Sequence, residues 1–111
     1  MRRVEKPWGY EDIWAESKSY AGKFMYIKPG HRMSLQYHEV KEETIYVQDG
    51  TLRIWHSEKE GDFTDMNPGE VYHVSPNVVH RFGAVNNPVY LIEISTAELD
   101  DVIRLADDYK R

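Results

Sequence analysis

Residues 30–50 read GHRMSLQYHEVKEETIYVQDG and contain the most informative pattern of the chain. Between the two terminal glycines of this stretch stand three polar side chains, Gln36, His38 and Glu43. A second stretch, introduced by a Pro-Asn turn signal, ends at His80. Together they offer two imidazoles, one carboxylate and one amide oxygen, a mixed nitrogen and oxygen set that suits a single divalent metal ion.

The spacing of these residues predicts that their side chains point inward. Gln36 and His38 are two residues apart, so on a β-strand they share one face. Glu43 shares a face with the apolar Ile45, which predicts a carboxylate directed into the core. Burying a carboxylate is unfavourable without a partner, and a metal ion would supply one. A single strand histidine such as His80 is more often an ordinary hydrogen-bonded residue, so the combination of four residues carries the hypothesis.

The composition restricts the class of protein. A chain of 111 residues is expected to form one domain, residues 1–111. The formal net charge of −5 argues against a nucleic-acid or anionic-membrane surface. The absence of cysteine excludes disulfides and thiolate metal sites and favours a cytoplasmic protein. We find no signal peptide in the sequence and no window that approaches the ~20 apolar residues of a membrane span.

Short runs rich in β-branched and aromatic residues alternate with turn signals. They predict strands within residues 20–28, 44–48, 51–56, 71–74, 78–85 and 89–94. Many short strands with regular turns indicate an all-β sandwich or barrel. The dipeptide Asp49-Gly50 between two such runs predicts a hairpin.

Three further segments are interpreted differently. Beyond Ser95 the apolar residues follow helical spacing, which predicts a short C-terminal helix packed on the barrel. Residues 56–65 are rich in charge and predict a surface loop. Asn77 stands in the turn before His80, and asparagine is the non-glycine residue that best tolerates positive φ.

The two stretches resemble the motifs of the cupin superfamily, with Gln36 in place of the first histidine of its first motif. The chain is similar over nearly its whole length to type II mannose-6-phosphate isomerases. These also occur as the C-terminal cupin domain of bifunctional isomerase/mannose-1-phosphate guanylyltransferases. Residues 28–38, KPGHRMSLQYH, resemble that family's Lys-Pro-Gly-x-x-Leu/Met-Ser-Leu-Gln-x-His signature. Residues 5–10, EKPWGY, and 100–111, DDVIRLADDYKR, also match family elements.

This resemblance implies a double-stranded β-helix, a jelly-roll barrel, and a metal-dependent isomerase acting on a sugar phosphate. It places the metal ligands at Gln36, His38, Glu43 and His80. The mixed shell fits one zinc, manganese, iron, cobalt or nickel ion. The sequence contains no Gly-rich phosphate loop, so nucleotide transfer is not expected.

An aldose–ketose isomerase needs a proton-transferring group and a phosphate anchor. Glu93, which interrupts an apolar strand, and Lys41 are the candidate catalytic residues, although an ion pair between Glu93 and Arg104 or Arg81 would also explain the acid. The candidate phosphate-binding residues are Arg32, Arg81, Arg104, Arg111 and Lys28.

Departures from the family pattern leave other functions open. Around its ligand glutamate the family has Arg-Ala-Glu-His-Trp, whereas residues 41–45 here read KEETI. A non-catalytic metal-binding or sugar-binding cupin is therefore an alternative. Two histidines and one carboxylate also form the facial triad of non-haem iron oxygenases, so a cupin dioxygenase is another. Open sheet edges, three tryptophans and eight tyrosines lead us to expect a homodimer.

Overall fold

The computed structural model describes residues 1–110 and shows that they form eleven β-strands and no helix. In chain order the strands are β1 Arg2–Lys6, β2 Gly9–Glu16, β3 Ala21–Ile27, β4 Leu35–Tyr37, β5 Glu43–Asp49, β6 Leu52–Trp55, β7 Phe63–Met66, β8 Val71–Val74, β9 Arg81–Ala84, β10 Val89–Ser95 and β11 Ile103–Ala106. No helix within this part of the chain could cross a membrane.

The strands form two facing layers. The larger is a six-stranded antiparallel sheet in the order β1-β2-β3-β10-β5-β8. The second consists of β7-β6-β9 and the pair β11-β4. Isolated bridges between Arg32 and Gly83 and between Gln36 and His80 join these two parts. The predicted all-β jelly-roll architecture is therefore confirmed.

The hydrophobic core lies between the layers. Strands β3, β5 and β10 present alternate residues inward, as half-buried antiparallel strands do. The core from both layers comprises Trp8, Met25, Ile27, Met33, Ile45, Val47, Leu52, Ile54, Val74, Phe82, Ala84, Val89 and Leu91. The six runs predicted from the sequence each contain or overlap a strand, so this part of the prediction is confirmed.

The hairpin predicted at Asp49-Gly50 is wrong. Strand β5 pairs with β10 and β8, whereas β6 pairs with β7 and β9, so the turn carries the chain from one sheet to the other. Gly50 has φ 81° and passes close to the backbone of Pro88: an added Cβ would lie 2.2 Å from its carbonyl oxygen. This glycine is required by packing between sheets rather than by a hairpin.

The predicted C-terminal helix is also wrong. The segment after β10 makes short turns, with the Leu99 N–H bonded to the Ala97 carbonyl and the Val102 N–H to that of Asp100. It then pairs with β4 as strand β11. Backbone pairing with another strand here replaces the intrahelical hydrogen bonds that the spacing of apolar residues predicted.

The loop predicted at residues 56–65 is confirmed only in its first part, because Phe63–Met66 forms β7 against β6. Strands β1 and β2 were not among the predicted runs, since charged residues interrupt their apolar alternation.

Replacement of Gly50 by alanine tests the close passage between sheets. We expect Gly50→Ala to lower the free energy of unfolding by about 1–3 kcal/mol, because it adds both a positive-φ penalty and a backbone clash. Gly61→Ala is the control, since an added Cβ there meets nothing within 4 Å. Urea denaturation would measure the free energy of unfolding of both variants. Equal denaturation midpoints for Gly50→Ala and Gly61→Ala would contradict this packing constraint.

Candidate metal centre

Strand β5 and the residues just before it place alternating side chains inside the barrel. Lys41, Glu43, Ile45 and Val47 are all buried, while the residues between them are at least partly exposed. The inward direction predicted for Glu43 is confirmed. An ammonium and a carboxylate are thus carried into the interior by the same alternation that builds the core.

Backbone pairing brings the two sequence motifs together. Gln36 N–H donates to the His80 carbonyl at 3.0 Å, and His80 N–H donates to the Gln36 carbonyl at 2.9 Å. The turn before His80 adds a third link, since the Asn77 N–H donates to the His38 carbonyl at 2.6 Å. Asn77 has φ 67°, as its residue type predicted.

Three of the four proposed ligands converge. His38, Glu43 and His80 each offer a ligand atom within 4.8 Å of the others, and all three are buried. The Glu43 Oε1 atom lies 3.1 Å from His80 Nε2 and 3.6 Å from His38 Nε2. The fourth residue, Gln36, lines the same cavity, and its Oε1 accepts a hydrogen bond from the Ser34 hydroxyl at 2.7 Å.

Hydrogen bonds fix both imidazoles with one nitrogen toward the centre. His38 Nδ1 bonds to the Asp101 carbonyl, and His80 Nδ1 bonds to the Val78 carbonyl. Because a carbonyl can only accept, each Nδ1 carries a proton, and the neutral form of each ring then has its lone pair on Nε2. This tautomer is the one that backbone carbonyls impose on metal-binding histidines.

The Nε2 atoms of His38 and His80 are buried without a hydrogen-bond partner in the described part of the chain, as expected of atoms that bind a cation. Despite their closeness to Glu43, neither Nε2 atom has a hydrogen-bond partner of acceptable geometry within residues 1–110. Two lone pairs and a carboxylate therefore face one another in a buried space. A divalent cation among them would satisfy all three groups, so these residues fit a metal ion.

The charge of Glu43 agrees with such a role. Burial alone would raise its pKa, but the positive charge of Lys41, whose Nζ lies 3.1 Å away, acts in the opposite direction. The pKa of Glu43 lies well below its ordinary value, so the group is an anion at neutral pH.

A second acid competes with Glu43 for the same ammonium. Lys41 Nζ lies 3.1 Å from Glu43 and 3.3 Å from Glu93, and Lys23 Nζ lies 3.8 Å from Glu93. Burial, followed by the charge of Glu43, raises the pKa of Glu93 to about 8 against the opposing lysines. Burial would lower the pKa of Lys41, yet the two acids raise it. The site thus holds a permanent ammonium beside a carboxyl that titrates near neutrality.

These groups share one cavity of about 70 Å³. It is lined by Lys6, Trp8, Glu11, Lys23, Met25, Met33, Gln36, His38, Lys41, Glu43, Phe82, Glu93, Leu99, Val102 and Arg104. Two grooves of about 240 Å³ lie elsewhere on the surface, around Arg53, and contain none of the proposed metal ligands.

Of the four predicted phosphate-binding cations within residues 1–110, the structure brings only Arg104 to this cavity. Arg32 lies in a surface groove, paired with Asp108 at 2.7 Å and Glu60 at 3.0 Å. Arg81 is buried and donates to the carbonyls of Met33 and Ala106.

Of the other two predicted cations, Lys28 does not line the cavity, and Arg111 lies outside the described residues. The ion pairs considered between Glu93 and Arg104 or Arg81 are not seen, because Glu93 pairs with lysines.

Sequence reasoning missed several residues of the site. Lys23 stands directly opposite Glu93 in the β3–β10 pair and also contacts Glu11 at 3.1 Å. Lys6 lines the cavity as well. The signal available in the sequence was Lys23 itself, a charged residue at an inward position of an otherwise apolar strand.

Comparison with known proteins identifies a family and several curated relatives that this chain resembles. The family described as "Mannose-6-phosphate isomerase C-terminal" matches residues 1–107. Mannose-1-phosphate guanylyltransferase of Escherichia coli (strain K12) is 32% identical over 114 residues, which cover 99% of this chain and 23% of that protein. The chain thus spans roughly a quarter of the length of the curated relatives that it matches.

Solved structures establish the fold. KdgF from Halomonas sp. superposes with a TM-score of 0.75 at 18% identity, covering 90% of this chain and 91% of that one. A structure of Bacillus subtilis oxalate decarboxylase, studied for its Mn(II) centres, gives 0.76 at 21% identity over 95% of this chain and 30% of that one. The likeness shows a double-stranded β-helix of the cupin type.

The raised pKa of Glu93 predicts a pH dependence of stability in the chelated, metal-free protein. The folded pKa of about 8 lies above the ordinary 4.5. The folded state therefore keeps a proton that the unfolded chain has released between these values, and stability falls as pH rises through this window. We expect Glu93→Gln to flatten that fall in denaturation curves recorded at several pH values. Parallel profiles for the wild type and the variant would show that Glu93 is not held protonated.

Proposed function

Because the chain belongs to the mannose-6-phosphate isomerase C-terminal family, we propose that it is a metal-dependent isomerase that interconverts an aldose phosphate and a ketose phosphate. The observation that carries this proposal is a cluster of three buried metal-ligand candidates, two of which, His38 and Glu43, line the same cavity as a titratable acid and an ammonium. The first three can hold an ion, and the other two can move or stabilise a proton.

His38, Glu43 and His80 would hold the metal, with the Gln36 amide oxygen as a further ligand. When bound, the metal supplies Lewis-acid polarisation of the sugar carbonyl. Zinc, manganese, iron, cobalt and nickel all suit this donor set. Manganese is a reasonable first choice because a structurally similar oxalate decarboxylase contains Mn(II) centres.

Glu93 is the proposed proton carrier. Isomerisation of an aldose removes the proton at C2, returns a proton to C1 and transfers the hydroxyl proton from O2 to O1, so that the carbonyl moves from C1 to C2. A group whose pKa lies near the working pH can both accept and return that proton. Burial raises the pKa of Glu93 to about 8, within reach of this condition.

Lys41 is the proposed electrostatic partner in the same step. Its ammonium lies 3.3 Å from Glu93, and the neighbouring acids keep it charged. It can therefore donate a hydrogen bond to oxygen atoms that gain negative charge as the carbonyl moves. It also stabilises Glu93 when that acid is ionised.

Arg104 is the proposed phosphate anchor. It lies on the cavity wall, its side chain is exposed, and no hydrogen bond or ion pair engages its guanidinium within the described chain. A guanidinium can bind a phosphate through two parallel hydrogen bonds. Lys6 and Lys23 contribute further positive charge to the same cavity.

A non-catalytic metal-binding cupin is the second candidate, and the size of the cavity favours it. The volume of about 70 Å³ is well below the roughly 300–1,000 Å³ of typical small-molecule sites. The Lys41 side chain lines this cavity and is held there by its contacts with Glu43 and Glu93. Isomerase activity would require the substrate to enter from the side of Arg104 and displace water or side chains there.

An isomerase assay distinguishes these two functions. We expect the metal-loaded protein to convert mannose 6-phosphate to fructose 6-phosphate in a coupled assay, and chelation to lower turnover by roughly 100-fold or more. His80→Ala should show the same loss, whereas His73→Ala, which changes an exposed histidine, should not. Unchanged turnover after complete metal removal would reject the metal's role. Metal binding without turnover on any sugar phosphate would establish the second candidate.

Arg104 should affect substrate binding more than turnover. We expect Arg104→Gln to raise KM roughly 10-fold or more, because it removes charged hydrogen bonds to the phosphate, and to change kcat much less. Arg53→Gln, which removes a partly exposed arginine of β6 that lies outside the cavity, is the control and should leave KM unchanged. An unaltered KM in the Arg104 variant would place the phosphate elsewhere.

A further inference from the structure

Four consecutive backbone N–H groups next to the metal centre are bound by a single distant segment. The N–H groups of Glu39, Val40 and Lys41 donate to the Asp101 carboxylate at 3.1, 2.7 and 2.9 Å. The N–H of Glu42 donates to the Thr96 hydroxyl at 3.1 Å. We call residues 39–42 the ligand loop and residues 96–106 the strap.

The ligand loop separates two metal-ligand candidates. His38 immediately precedes it and Glu43 immediately follows it, and Lys41 lies within it. This loop forms no strand, so its conformation depends on partners outside it. The strap provides those partners, since three of the four N–H groups end on one carboxylate.

Asp101 also contacts a proposed ligand through its main chain. Its carbonyl oxygen accepts the hydrogen bond from His38 Nδ1 that leaves the Nε2 lone pair facing the centre. The carboxylate of Asp101 fixes where this carbonyl lies relative to the loop. One residue therefore holds the loop backbone with its side chain and the imidazole with its backbone.

The strap continues from this contact into the cavity wall. Leu99 and Val102 line the cavity on either side of Asp101. Strand β11 then pairs with β4, where Arg104 stands opposite Gln36. The same segment thus connects the ligand loop to the proposed phosphate anchor.

We propose that Asp101 is a positioning residue for the metal centre, which acts by clamping the ligand loop to the strap. This inference rests on the metal-binding part of the proposed function and is independent of isomerase activity. Its physical basis is that ligands held in place before binding lose less freedom when the ion arrives. Removing the clamp should therefore weaken metal binding even when the barrel remains folded.

A merely structural role for Asp101 would give a different result. In that case a substitution would lower the stability of the metal-free protein, and the folded fraction would bind metal with unchanged affinity. Measurement of metal affinity at a temperature where every variant is folded separates the two roles.

The experiment compares Asp101→Ala, Asp101→Asn and the adjacent control Asp100→Ala by calorimetric titration of the metal-free proteins with Mn²⁺ and with Zn²⁺. Asp100 is exposed and its side chain does not bind the loop. We expect the dissociation constant to rise about 10-fold or more in Asp101→Ala, which is typical for loss of an outer partner of a metal ligand. Asp101→Asn keeps one acceptor oxygen for the loop, so a smaller rise is expected. Asp100→Ala should match the wild type.

Nitrogen-15 spectra of the histidine side chains provide a readout that needs no metal. We expect His38 to be the Nδ1-protonated tautomer in the wild type and to lose this preference in Asp101→Ala, while His80, bonded to Val78, keeps it. Unchanged affinity and an unchanged His38 tautomer in folded Asp101→Ala would overturn the inference alone. Failure of the wild type to bind either metal would overturn it together with the metal-binding part of the proposed function.

Discussion

The burial of the Glu43 carboxylate beside two imidazoles is the constraint on which the site depends. A carboxylate 3% exposed within an apolar barrel is unfavourable unless cations or donors surround it. Lys41 supplies one such charge at 3.1 Å. On the other side Glu43 faces the two Nε2 atoms, which have no hydrogen-bond partner of acceptable geometry within residues 1–110. Lys41 compensates part of the Glu43 charge, and a cation between the carboxylate and the imidazoles would compensate the rest.

The two-layer barrel explains how so many charges can gather in one interior. Inward positions of neighbouring strands place Lys23, Glu93 and Glu43 within one sheet, so each charge has an opposite charge nearby. Burial raises the pKa of both acids, but their neighbours differ: the pKa of Glu43 is lowered by its surroundings, whereas the negative charge of Glu43 raises that of Glu93 further. Such separation is what a site that transfers protons requires. The C-terminal segment completes the enclosure, because Thr96 and Asp101 bind the irregular stretch between His38 and Glu43.

Much of this arrangement could be predicted from local pattern. The alternation in residues 44–48 predicted that Glu43 points inward, and the spacing of Gln36 and His38 predicted a shared face; the structure places all three on one cavity. What sequence could not provide was tertiary pairing. The residues after Ser95 do not form the expected helix, because their last part pairs with the edge of β4 as strand β11. The Asp49-Gly50 turn connects two sheets instead of closing a hairpin, and there Gly50 packs against the backbone of Pro88, just before β10. Two of the predicted phosphate-binding arginines are engaged elsewhere: Arg32 pairs with Asp108 and Glu60 in a surface groove, and Arg81 donates to backbone carbonyls. The cations that line the cavity are instead Lys6, Lys23, Lys41 and Arg104.

Anomalous diffraction from a crystal soaked in Zn²⁺ would show whether His38, Glu43 and His80 bind one metal ion. We expect one strong anomalous peak within about 2.0–2.2 Å of His38 Nε2, His80 Nε2 and a Glu43 oxygen, with Lys41 still beside Glu93. A barrel interior without such a peak, or one whose imidazoles have turned to donate their Nε2 protons to Glu43, would contradict this expectation.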